Sequence, residues 1–228
     1  MVLPNELASK SADELEEWFL TSVEEPEPPM AELLDVLSYL VSRGASAQAS
    51  SWAELLQDTL GEKGDSENAL KLLQLRHGWQ GDRSGFRDTC VEAITATFRS
   101  RLHRIFVKNA GLDSGCELLE SLRRLDVMLR FAPGMPCHDN TWGFGVIKRV
   151  DDFYEKIIVD FSSKPSHEMS LSYGAEALEL ISDDHILARK SADPDALKEL
   201  VQNDPGEVVR IALRSYGPLT AAELQEKM

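Results

Sequence analysis

Apolar residues recur at helical spacing through roughly the first 130 positions of this chain and then change to short alternating runs. In "SADELEEWFL", Leu15, Trp18 and Phe19 fall on one face, and Ser11 followed by Glu14 has the spacing of a capping box, so a first helix starts here. The proline-rich run "EEPEPP" at 24–29 breaks it. "MAELLDVLSYLVSRG" resumes a helix with Leu33, Leu34, Leu37 and Leu40 on one stripe and Gly44 at the stop. "SSWAELLQDTLGEKG" and "DSENALKLLQLRHGW" repeat the pattern. Two longer segments, "SGFRDTCVEAITATFRSRLHRIFVKNAG" and "SGCELLESLRRLDVMLRFAPG", each read as one helix, opened near a serine and closed by Gly111 or Gly134. About six helices joined by short turns predict an α-helical bundle or helical-hairpin array over residues 1–132, and no constant period marks a regular solenoid.

At "APGMPC" the pattern changes. "WGFGVIKRV", "KIIVDF" and "HEMSLSY" are short, rich in β-branched and aromatic residues, and separated by the turn-like runs "DDFYE" and "SSKPS". With "ALELI" they predict a small antiparallel sheet curling into a five-stranded barrel over 133–182. Helices return over 183–228 in "PDALKELVQ", "PGEVVRIALRSYG" and "LTAAELQEKM", and the first two carry proline in the opening turn, where its missing N–H costs nothing. The fold class is therefore mainly α with a small β-barrel. The last of these helices is only begun, which creates the expectation that the chain is cut from a longer protein.

Charge narrows the choice of partners. The net charge of −15 is spread as −12 over residues 1–70, +5 over 71–112 and −8 over 113–228. Such acidity repels phosphate backbones, so only the middle stretch suits nucleic acid. There Arg99, Arg101, Arg104 and Lys108 lie opposite Phe98, Leu102, Ile105 and Phe106 on a predicted helix; they form a solvated face or a patch for an acidic partner or nucleic acid. No apolar run approaches the roughly 20 residues of a membrane span, and the N-terminus lacks a secretory pattern, so a cytoplasmic protein is expected. Cys90, Cys116 and Cys137 fit reduced thiols.

Chemistry is sparse. No P-loop, G-x-G-x-x-G, G-x-S-x-G or H-E-x-x-H is present, and the five histidines are scattered singly. Cys137-His138 lacks further ligands at zinc spacing. Cys90 and His103 share a predicted helix that would hold them about 20 Å apart. No catalytic residue, metal or cofactor is expected. In the β unit, Trp142, Phe144, Val146 and Lys148 alternate with Gly143, Gly145, Ile147 and Arg149. Phe144, Ile147, Ile158 and Val159 are the natural core, with Gly143 and Gly145 leaving room for a close backbone or a bend. So small a barrel cannot bury Trp142, Phe144, Phe153, Tyr154, Phe161 and Tyr173 together. Trp142, Phe144, Phe153 and Tyr154, beside Lys148 and Arg149, are therefore the candidate partner-binding residues.

The glycine-flanked strand "G-x-G-V-I", a turn and "KIIVDF" resemble SH3-like barrels of the Tudor, KOW and CarD type. Taken with "EALELISDDHILARK", the stretch "WGFGVIKRVDDFYEKIIVDF" resembles the amino-terminal extension of long Gre-type transcription elongation factors of chlamydial and verrucomicrobial lineages, and "DDHILARK" is its more specific part. The resemblance covers roughly 135–228. "GPLTAAELQEKM" is similar to the opening of a winged-helix domain. "GDSENA" at 64–69 is similar to the acidic tip of Gre coiled coils but is one residue shorter, and an ordinary helix N-terminus accounts for it. Nothing matches the Gre coiled coil or FKBP-like domain. The resemblance thus implies a non-catalytic region that docks on RNA polymerase or another transcription protein. Without the resemblance, the residues also fit a helical protein-binding scaffold with an SH3-like peptide module, or nucleic-acid binding through the 99–108 helix.

Overall fold

The computed structural model describes residues 5–81, 83–218, 220, 222 and 223. The chain divides into two compact units, Met1–Leu129 and Arg130–Met228.

The first unit is helical: α1 (Asn5–Ala8), α2 (Ala12–Glu24), α3 (Met30–Ser42), α4 (Ser46–Lys63), α5 (Ser66–Gln80), α6 (Phe86–Thr97), α7 (Arg101–Ala110) and α8 (Leu118–Leu129). The capping box is formed as expected, Ser11 Oγ accepting from the Glu14 N–H and Glu14 accepting from the Ser11 N–H. We predict that Ser11→Ala lowers the stability of this unit by about 1 kcal/mol, read as a shift in its urea midpoint, while Ser11→Asp leaves it nearly unchanged. Asp65 caps α5 by accepting from the Asn68 N–H, so "GDSENA" serves here as a helix start. α4 packs against α2, α3, α5 and α6. Its Trp52, Ala53, Leu56 and Leu60 join Phe19, Val23, Leu33, Val36, Leu37 and Leu72 in one buried core, with Phe19 and Trp52 stacked at 4.7 Å.

The long helix expected over 84–111 is two helices. After Thr97 the buried Phe98 turns inward, and Ser100 accepts the His103 N–H as the N-cap of α7. A serine capping a new helix competes with continuation of the old one, and β-branched Thr95 and Thr97 hold it weakly. Arg99 lies in this break, outside α7. Its Nη2 donates to the Gly61 carbonyl at 2.9 Å and its Nε to the Ala96 carbonyl at 2.8 Å, satisfying backbone oxygens near the ends of α4 and α6.

The second unit begins with a five-stranded antiparallel sheet: β1 (Pro136–Asp139), β2 (Gly143–Asp151), β3 (Lys156–Phe161), β4 (His167–Ser170) and β5 (Leu178–Leu180), in the order β4-β3-β2-β1-β5. The expected small β unit is present, but its sheet is open, with β4 and β5 at its two edges. β1 is a strand where the sequence pattern predicted none; a proline at the first strand position and the polar run His138, Asp139 and Asn140 hide the alternation. "HEMSLSY" is a strand only to Ser170, whose side chain then caps α9 (Leu171–Ala177) by accepting the Tyr173 N–H. Ile147, Ile157, Val159, Phe161 and Met169 are buried, and α9 packs on β3 and β4. Phe144 is not part of that core: the buried residues of β2 are Gly145 and Ile147, so Phe144 stands on the other face, half-buried.

Helices α10 (Ile186–Ala192), α11 (Pro194–Asn203) and α12 (Pro205–Tyr216) complete the unit. Ile186, Val208, Ile211 and Ala212 form their core, and the His185 ring meets Tyr216 edge-on at 4.9 Å. Asp193 and Asp204 cap α11 and α12, each followed by proline. Thr220 and Glu223 make the reciprocal bonds of another capping box, and the rest of the helix expected in "LTAAELQEKM" lies outside the described residues. No helix among the described residues is long and apolar enough to cross a membrane.

Candidate partner-binding site

Two turns built on the same principle display the aromatic residues of the β unit. At the β1–β2 turn, Asp139 Oδ1 accepts from the Thr141 N–H at 2.7 Å and from the Trp142 N–H at 2.9 Å. At the β2–β3 turn, Asp151 Oδ1 accepts from the Phe153 N–H at 3.2 Å and from the Tyr154 N–H at 3.0 Å. An aspartate that binds backbone N–H groups two and three residues on holds a tight turn without secondary-structure partners. Both turns therefore place an aromatic residue three positions after the aspartate. Gly143 (φ 75°) and Glu155 (φ 53°) supply the left-handed residue each turn needs.

The candidate residues do not form one patch. β2 spans nine residues, roughly 30 Å at strand rise, with Trp142 before its start and Phe153 and Tyr154 beyond its end. Phe153 and Tyr154 are 72% and 68% exposed and meet edge-on at 4.9 Å, a preformed aromatic pair facing solvent. Trp142 is half-buried. Lys164 Nζ sits 4.3 Å from its ring centroid and His167 packs at 5.2 Å, two neighbours absent from the sequence-level site. Burial foremost, with Lys164 beside it, lowers the His167 pKa and favours the neutral ring.

Between these ends lies a stripe of paired charges. Lys148 contacts Asp160 at 3.3 Å, Arg149 contacts Asp151 at 2.7 Å and Lys156 contacts Glu168 at 2.8 Å. The backbone N–H of Ser166 and, after it, Lys148 hold the Asp160 carboxyl below the usual range. A register shift between Ile147 and Arg149 puts Lys148 and Arg149 side by side in the exposed stretch of β2. Gly145 has a role the sequence did not disclose. A Cβ there would lie 2.5 Å from Phe161 Cδ1 and 2.9 Å from Val159 Cγ1, so the missing side chain admits the Phe161 ring rather than another backbone.

The basic stretch is divided. Arg99 is committed to two carbonyls, whereas Arg101, Arg104 and Lys108 are exposed on α7. The break after Thr97 also removes the continuous helix that separated Cys90 from His103. Cys90 is nonetheless a poor nucleophile: it is buried, and burial raises its thiol to about 11. Cys137 is raised by burial to about 12. Among the described residues, no group of three or more His, Cys, Asp or Glu side chains is placed to hold a metal.

The model of the GRAD helix-turn-helix domain matches residues 187–228, the segment that holds most of α10 and all of α11 and α12. There Arg189, Lys198, Arg210 and Arg214 are each ion-paired, to Asp184, Asp195, Glu207 and Glu207 respectively. Transcription elongation factor GreA of Chlamydia pneumoniae is 32% identical over 120 residues, 52% of this chain and 17% of that protein. GreA of Chlamydia trachomatis is 27% identical over 120 residues, again 52% of this chain and 17% of the relative. No solved structure matches the chain. Over about half its length the chain is thus related to Gre-type transcription elongation factors, in a segment that spans about a sixth of either chlamydial protein.

Proposed function

We propose that this chain is a non-catalytic interaction region acting in transcription elongation, and that its β unit, an SH3-like module, docks on RNA polymerase or a protein bound to it. The observation that carries the reading is the relation to two GreA proteins over 120 residues; the aromatic pair at the β2–β3 turn supplies a surface able to do it. Rigid aromatic residues held outside the core are the side chains that most often anchor protein interfaces, because they bury large area at little entropic cost. Lys148 and Arg149 lie along β2 before that anchor, and their paired carboxylates leave orientation rather than net attraction as their contribution. Phosphate binding by α10–α12 is not favoured, since the cations named above are already neutralised by neighbouring carboxylates.

The test is retention of purified RNA polymerase from the source organism by the immobilised chain. We predict that Phe153→Ala/Tyr154→Ala weakens retention at least about a hundredfold while the fold is kept, as expected for loss of two anchors of about 1.5–2 kcal/mol each. Trp142→Ala/Phe144→Ala reports separately on the opposite end of β2. If neither pair alters retention, the β unit is not the docking surface; if the parent chain retains no polymerase, the elongation reading is lost.

A further inference from the structure

A cleft of about 460 Å³ opens between α4, α5 and α6 in the helical unit, and of the residues discussed above as partner contacts Arg99 alone is on its lining. One wall is a stripe of carboxylates on α4, Glu54, Asp58 and Glu62, spaced four residues apart so that they stack along one helix face; Glu92 of α6 stands on the lining as well. Among the described residues Asp58, Glu62 and Glu92 make no ion pair. Gly61, Ala93 and Ala96 keep the channel open because they have little or no side chain.

The layer directly beneath the cleft is polar and under-satisfied. Gln57 is 6% exposed, lines the cleft, and has neither its amide oxygen nor its amide nitrogen hydrogen-bonded. Arg76 is 2% exposed; its Nε donates to Gln80 Oε1 at 2.8 Å, but its terminal nitrogens come no nearer to a carboxylate than 3.6 Å, at Glu54. A buried guanidinium and a buried amide with open hydrogen-bonding capacity are costly features in a helical core. A guest that takes them must offer a carbonyl to Arg76 and both an acceptor and a donor to Gln57, which together describe a peptide group. The carboxylate wall requires that the same guest carry positive charge.

We propose that this cleft binds an extended peptide segment bearing lysine or arginine, its backbone amide read by Gln57 and Arg76 and its basic side chains held by Asp58, Glu62 and Glu92. Both Gln57 amide atoms are closed to solvent, so the side chain must turn toward the cleft to meet the guest. An anionic ligand is disfavoured by four carboxylates against two cations on the lining. This site belongs to the helical unit and does not depend on the docking assigned to the β unit.

The experiment uses the full chain and a short end-capped peptide of alternating alanine and lysine, with the alanine–glutamate peptide as control. Binding is read by calorimetry and by the side-chain amide resonances of Gln57. The expected result is a saturable shift of the Gln57 amide with the lysine peptide only. Asp58→Asn/Glu62→Gln should weaken binding about tenfold, two exposed charge contacts being lost, whereas Glu16→Gln/Glu17→Gln, an equal charge change on α2, should alter it less than about twofold. All four positions are exposed, so both variants keep the fold. An unmoved Gln57 amide, or equal weakening by the two double variants, would mean diffuse attraction to an acidic protein and would overturn the site.

Discussion

Gly145→Ala lowers the stability of the β unit by about 1–3 kcal/mol, the cost of forcing an added carbon into a well-packed site. The added Cβ would meet Phe161 at 2.5 and 2.8 Å and Val159 at 2.9 Å, all closer than carbon atoms tolerate, and Phe161 is itself 2% exposed with nowhere to retreat. Glycine is required here for space and not for backbone freedom, because positive φ is found at Gly143 and not at Gly145. Trimming the ring therefore relieves the strain. In a Phe161→Leu background, Gly145→Ala should cost clearly less, giving a coupling of about 0.5–3 kcal/mol between two residues in contact. Hydrogen exchange of the Ile147 and Val159 amides, read in the full chain, isolates this unit from the helical one. An equal cost in both backgrounds would show that the Phe161 ring is not what excludes a side chain.

That pair also illustrates what the sequence could disclose. "G-x-G" marks a place where something comes close, but the partner, Phe161, lies sixteen residues on and is identified only by the β2–β3 register, Gly145 opposite Phe161. The helices of the first unit were legible because their period and caps are local: Ser11 with Glu14, and Asp65 before α5, need no tertiary information. The break at Ser100 was less so. A serine after "TATFR" is an ordinary N-cap signal, yet the flanking apolar residues keep helical spacing across it, so the period masks the cap. For the site, the aromatic identities were legible and their grouping was not. Both Asp139-x-x-Trp142 and Asp151-x-x-Tyr154 carry an aspartate-turn signal, and recognising it would have assigned the aromatics to two turns at opposite ends of one strand. Of the cleft in the helical unit, the sequence carries only the four-residue spacing of Glu54, Asp58 and Glu62, since Gln57 and Arg76 lie on different helices and only packing brings them to one cleft.

Arg76 is the residue where volume and charge make opposite predictions. Its side chain is buried over Phe86, with the guanidinium carbon 5.8 Å from the ring centroid, and burial foremost pulls its pKa down while Glu54 works against that. Arg76→Ala removes a long stem from the interior and leaves Gln80 Oε1 without its donor, so a loss of about 3–5 kcal/mol is expected. Arg76→Met fills nearly the same volume without a charge to desolvate. Glu54, more than half exposed, is not stranded by the change, so the penalty that usually follows breaking a buried pair does not arise. Arg76→Met leaves Gln80 Oε1 equally without its donor, so it should cost about 1–3 kcal/mol, less than Arg76→Ala by the cavity it does not open, both values read from urea unfolding of the helical unit. Equal damage from the two variants would assign the stability to the charge and its bond to Gln80. The smaller cost of Arg76→Met would instead mean that the side chain serves folding mainly by its volume, leaving the peptide carbonyl proposed for the cleft as the reason for its charge, and loss of peptide binding in that variant would follow.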